Sequence, residues 1–138
     1  MATLLQSLEA DPRELLGADE LAQQIRSGLP YSAAETLMQV MGLSQVELAS
    51  LLGVSERTLT RSKRAVRLNP IASDRLVRLA RVALHGSDAL GSGDALRHWL
   101  RTPNRALGGR APLTLLDTDV GVRDVEAVFG RIDHGIFS

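Results

Sequence analysis

The sequence predicts an all-α fold, with a helix-turn-helix N-terminal half joined to a smaller helical C-terminal half. Apolar residues recur at helical spacing, as in Val122, Val125, Phe129 and Ile132. No stretch of four or more residues alternates cleanly enough to argue a strand. Capping residues and glycines or prolines bracket the periodic runs. Aromatic residues are only 3% of the chain, so the core must rest on Leu, Val, Ala and Ile.

Taken in order, residues 1–17 are weakly patterned. Asp19 is placed to cap a short helix bearing Leu21, Ala22 and Ile25, ended by Gly28 and Pro30. Ser32 and Glu35 have capping-box spacing and open a helix through Met41, with Leu37, Met38 and Met41 apolar.

The run Gly42–Arg61 carries the densest signal. Ser44 and Glu47 form a second capping box, followed by Leu48, Leu51 and Leu52 on one face and a small Ala49. Gly53 stands where this helix must stop, and Ser55 caps the next after a short turn. In the second helix Ser55, Leu59, Ser62 and Val66 project to one side. Arg57, Arg61 and Arg64 project to the other, with Thr60, Lys63 and Arg67 beside them. A helix that packs through one edge and offers guanidiniums on the other suits a major groove. The candidate DNA-facing residues are Ser44, Gln45, Ser55, Glu56, Arg57, Thr58, Thr60, Arg61, Lys63 and Arg64. A helical hairpin with a solvated basic face is the plainer alternative.

Beyond it, Asn69 caps a helix with Pro70 at its first position, running to about Leu84 with Leu76, Leu79, Ala80 and Ala83 inward. Gly86 to Gly93 reads as a Gly/Ser loop. Asp94 opens a short helix with Leu96, Trp99 and Leu100, stopped by Pro103. Gly108-Gly109 mark a turn, Pro112 starts one helical turn over Leu113–Leu116, and Asp117 or Asp119 caps a last helix ended by Gly135. Trp99, Pro112 and Phe129 are expected in the core of this half. The division expected is 1–17, a helix-turn-helix domain over 18–68, and a second domain over 69–138.

Net charge is zero, but its distribution is uneven. Residues 1–55 balance at −5, residues 56–81 at +6 and residues 82–138 at −1. Half of all Lys and Arg thus fall in the segment that begins at the second helix of the motif, and phosphate senses local charge. Arg75, Arg78 and Arg81 are consistent with no more than a solvated face.

Catalytic constellations are absent, so an enzyme, a cofactor and a small-molecule substrate are not expected. His85, His98 and His134 sit in unrelated settings without metal-ligand spacing. There is no cysteine, which excludes disulfides and thiolate metal sites. No apolar run approaches the roughly 18 residues of a membrane span, and no signal sequence opens the chain. A soluble cytoplasmic protein is the expectation.

Several C-terminal segments bear a family resemblance. They are Trp99-Leu-Arg-Thr-Pro-Asn-Arg-Ala-Leu-Gly-Gly109, Pro112-Leu-Thr-Leu-Leu-Asp-Thr118 with Gly121, and Val125-Glu-Ala-Val-Phe-Gly-Arg-Ile-Asp-His-Gly-Ile-Phe137. Together with Ser73-Asp74-Arg75 they resemble the Xre/MbcA/ParS antitoxin family, partners of RES-domain toxins, from about Ala18 to the last residue. The resemblance implies an Xre-like N-terminal half that binds operator DNA as a dimer and represses its own operon. It implies a C-terminal half that binds a toxin which consumes NAD or uses it to ADP-ribosylate a target, the C-terminal end lying over the NAD pocket. The candidate toxin-contacting residues are Asn104, Arg131, His134, Gly135, Ile136, Phe137 and Ser138. Asn104 fits a turn equally well. Two other classes stay open: a stand-alone helix-turn-helix repressor whose C-terminal half only dimerises, and a protein-binding module that no longer binds DNA.

Overall fold

The computed structural model describes residues 17–135, with side chains from residue 19 onward. Among them the chain forms seven α-helices: α1 Gly17–Ser27, α2 Tyr31–Met41, α3 Gln45–Leu52, α4 Glu56–Ala65, α5 Pro70–Leu90, α6 Gly93–Leu100 and α7 Asp119–Asp133. Two 3-10 turns, Arg105–Leu107 and Pro112–Leu115, lie between α6 and α7. Pairing of extended backbone among the described residues is limited to two isolated bridges, Pro30 with Arg67 and Asn104 with Arg110. The chain divides into two compact units, the first ending at Arg81 and the second beginning at Val82. That division falls inside α5, downstream of the Leu68/Asn69 boundary expected from the sequence.

In the first unit Leu37, Leu48, Leu52, Leu59, Leu76 and Leu79 are almost wholly out of water. Each such leucine contributes about 1.5–3 kcal/mol relative to exposure. The α1–α2 connection is tied to the α4–α5 connection by backbone. Leu68 N donates to the Leu29 carbonyl at 2.9 Å and Tyr31 N to the Val66 carbonyl at 2.9 Å. Arg67 Nη1 donates to the Gly28 carbonyl at 2.8 Å. Leu29 N donates at 2.8 Å to the hydroxyl of Ser73, which is fully buried. Burial, with the Glu35 charge as a smaller cause, lifts the Tyr31 phenol above its usual range.

This clasp explains why α2 does not start where local spacing suggests. It begins at Tyr31 behind Pro30, with no side-chain cap, and Ser32 is exposed in its first turn. The tertiary bond from Tyr31 N fixes the helix entry, so the expected Ser32/Glu35 box does not set it. Asp19 likewise lies within the first turn of α1, where its charge suits the helix dipole.

The second unit packs around Phe129, with Leu96, Leu100, Leu116 and Val125 also fully buried. The Trp99 ring lies 4.8 Å from that of Phe129, and the His85 ring 5.3 Å away at an edge. Pro112 is buried as expected, whereas Trp99 is only half-buried. The expected Gly86–Gly93 loop is largely helix, because α5 continues to Leu90. A Cβ on Gly86 would stand 2.6 Å from Leu96 and 2.7 Å from Phe129, so this glycine serves close packing and breaks no helix. The caps also differ from expectation. Ser92 caps α6 through Ala95 N, and Thr118 caps α7 through Gly121 N. Asp94 and Asp119 occupy the first turns instead.

Candidate functional site

The motif Gly42–Arg61 folds as its local chemistry dictates. Ser44 Oγ accepts from Glu47 N at 3.1 Å while Glu47 Oε1 accepts from Ser44 N at 2.9 Å, closing the box that starts α3. Gly53 ends α3 with φ of 69°, a conformation that suits glycine. Arg75 Nη1 donates at 2.8 Å to the Leu52 carbonyl, and its guanidinium fills the space where a Gly53 side chain would stand. Ser55 Oγ accepts from Thr58 N at 3.0 Å to start α4, and Leu59 is buried with no exposure beneath it.

This geometry sorts the expected DNA-facing residues. Ser44 and Ser55 are spent as caps, and the half-buried Thr58 engages the Ser55 hydroxyl at 3.0 Å. Gln45 Nε2 donates to Thr60 Oγ1 at 3.3 Å, tying the exposed edges of α3 and α4 together. Glu56, Arg57, Arg61, Lys63 and Arg64 are exposed. Among the described residues the four cations make no ion pair, and Arg57, Arg61 and Arg64 share one face of α4. Val66 departs from the expected inward stripe. It is 65% exposed beyond the helix end, with φ of 66°, because the chain must reverse there to reach the Pro30–Arg67 bridge.

Not every neighbouring cation is free for such a face. Arg67 and Arg75 hold carbonyls of Gly28 and Leu52, so Arg75 is a structural strut where the sequence suggested only solvation. Sequence reasoning missed both struts and Ser73. Their partners lie 39, 23 and 44 residues away, beyond any local spacing rule.

In the second unit Asn104 serves the turn. Its side chain accepts from Ala106 N at 2.8 Å and its backbone N donates to the Arg110 carbonyl at 3.0 Å. Arg131 lies half-buried on α7 and lines an open cleft with Arg110 and Asp124. His134 closes α7, with Nδ1 2.7 Å from the Gly130 carbonyl oxygen. Gly135 follows with φ of 71°. Ile136, Phe137 and Ser138 lie outside the described residues, as does most of the expected 1–17 segment. His85, unassigned from sequence, stands 2.7 Å from Asp133 and 3.7 Å from Glu126. No group of three or more metal-ligating side chains is assembled among the described residues. No helix of the described residues is long and apolar enough to cross a membrane.

A helix-turn-helix with a basic second helix, followed by a separate helical unit, defines the class of protein. The Xre-like helix-turn-helix domain of antitoxins matches residues 20–81, and the antitoxin Xre/MbcA/ParS C-terminal toxin-binding domain matches residues 85–135. A protein named Antitoxin Xre from Yersinia enterocolitica serotype O:8 / biotype 1B is 31% identical over 121 residues, covering 86% of this chain and 81% of that one. An Antitoxin Xre from Photorhabdus laumondii subsp. laumondii is 29% identical over 116 residues, 83% of this chain and 78% of its own. The crystal structure of the M. tuberculosis MbcT-MbcA toxin-antitoxin complex contains a chain 27% identical, with a TM-score of 0.57 over 78% of this chain and 96% of that one. The chain belongs to the Xre antitoxin family, as a type II antitoxin with a helix-turn-helix domain and a C-terminal toxin-binding domain.

Proposed function

We propose that this chain neutralises a RES-domain toxin, one that consumes NAD or ADP-ribosylates a target with it, by laying its C-terminal end over the toxin's NAD pocket. The observation that carries the reading is the end of α7. The helix stops at His134 and Gly135 turns the backbone into the left-handed region, with Ile136-Phe137-Ser138 following in the sequence. The apolar Ile136-Phe137 pair suits insertion into a cleft, and occupancy alone blocks substrate without any chemistry from the antitoxin. The M. tuberculosis relative, seen in a toxin-antitoxin complex, supports a protein partner for this fold.

The same chain represses its own operon as a dimer on operator DNA, reading the major groove with α4. Four exposed cations on a helix capped at its N-terminus support that half of the reading.

The test is co-purification with the tagged chain, followed by NAD loss measured before and after the chain is stripped away. A partner that destroys NAD only when freed is expected. Deletion of residues 135–138 should restore NAD loss while operator binding persists. Full inhibition by the truncated chain would remove the plug, and tight operator binding without any partner would favour a stand-alone repressor.

A further inference from the structure

We propose that the cleft beside α7 receives a carboxylate side chain of the toxin, held between Arg110 and Arg131; this deepens the reading above and rests on it. The cleft has a volume of about 310 Å³. Leu107, Leu115 and Ala127 give it apolar walls, and Arg110, Arg131 and Asp124 are its charged groups. Asp124, Ala127 and Arg131 stand at i, i+3 and i+7, which turns one face of α7 into the cleft wall.

The charged groups are left without partners of their own. Among the described residues neither Arg131 nor Asp124 makes an ion pair or a side-chain hydrogen bond. Arg110 Nε reaches only the Leu107 carbonyl, at 3.5 Å and the edge of hydrogen-bond range. Arg110 and Asp124 are exposed and Arg131 is half-buried, and a half-buried guanidinium with no acceptor forgoes the bidentate, charge-assisted bonds its planar fork is shaped to make. Two guanidiniums against one carboxylate leave the open cleft with an excess positive charge that attracts an anion.

A carboxylate on a protein fits better than a nucleic-acid phosphate. Residues 82–138 balance at −1, against +6 for residues 56–81, so this half lacks the cationic surplus that would draw a polyanion. The match to the toxin-binding domain spans residues 85–135, which encloses the whole cleft and stops before the apolar tail. The cleft is therefore placed to hold toxin independently of the plug.

The experiment measures the affinity of the full chain for the RES-domain toxin that co-purifies with it, separated and then recombined. Arg110→Gln and Arg131→Gln should each weaken binding roughly 10- to 100-fold, the loss typical of a hydrogen bond to a charged group. Arg131→Lys, which keeps charge and loses the fork, should fall between. Asp124→Asn should leave affinity unchanged or raise it a few-fold, because it removes a like charge. Melting curves matching wild type establish that each variant is folded. Arginine variants that bind toxin within twofold of wild type overturn the cleft and leave the tail reading standing. Absence of toxin binding by the wild-type chain itself overturns both. Arginine variants that change self-association or operator affinity, but not toxin affinity, overturn the proposal in favour of a second copy or a phosphate.

Discussion

Arg75 illustrates how a single cation can be misjudged by charge alone. It sits amid the basic segment, yet its Nη1 bonds the Leu52 carbonyl, one of the acceptors that a helix C-terminus leaves without an intrahelical donor. Removing a donor from a part-buried acceptor costs about 1–3 kcal/mol. Arg75→Met should therefore lower the melting temperature while leaving the salt slope of operator binding unchanged. A normal melt with a shallower slope would instead place Arg75 on a phosphate. Arg67 follows the same logic at the Gly28 carbonyl, which leaves Arg57, Arg61, Lys63 and Arg64 of α4 as the free cations of greatest interest.

At the scale of elements, α5 and α6 meet through a glycine. Gly86 lets the last turns of α5 come against Leu96 and Phe129, and a methyl group there would push on atoms 2.6–2.7 Å away. Overpacking of this kind costs about 1–3 kcal/mol. Gly86→Ala should lower the melting temperature and impair toxin binding, while operator binding at low temperature holds. An unchanged or higher melting temperature would mean that the aromatic cluster yields easily and that helix propensity dominates. Helix existence was legible in the sequence because amphipathic spacing is local, and so was the Ser44/Glu47 box, whose partners lie three residues apart. The start of α2, the run of α5 past Gly86 and the buried Ser73 were not legible, since each is decided by groups distant in the chain. Of the candidate site, the basic face of α4 was legible and the role of Asn104 half so. The pairing of Arg110 with Arg131 around one cleft was not, because it depends on how a 3-10 turn packs beside α7.

Across the whole molecule, zero net charge is the sum of a basic segment that begins at α4 and an acidic remainder. If the proposed reading holds, this segregation would give the chain a cationic surplus for a polyanion in one half and none in the other. Distant sites that share no partners should then respond independently to substitution. Replacing Arg57 and Arg61 together by alanine should reduce the salt slope of operator binding by about one to two units per recognition helix, since each lost phosphate contact releases about 0.9 fewer counterions. Toxin inhibition by the same variant should match wild type. Salt titrations with a wild-type slope would remove these arginines from the DNA face. A loss of toxin inhibition alongside the slope would show that the two halves are energetically coupled, so that occupancy of one site reports to the other. Independence predicts instead that a toxin-bound chain and a free chain share one operator salt slope, because the cations assigned to phosphate under the proposed reading lie on α4.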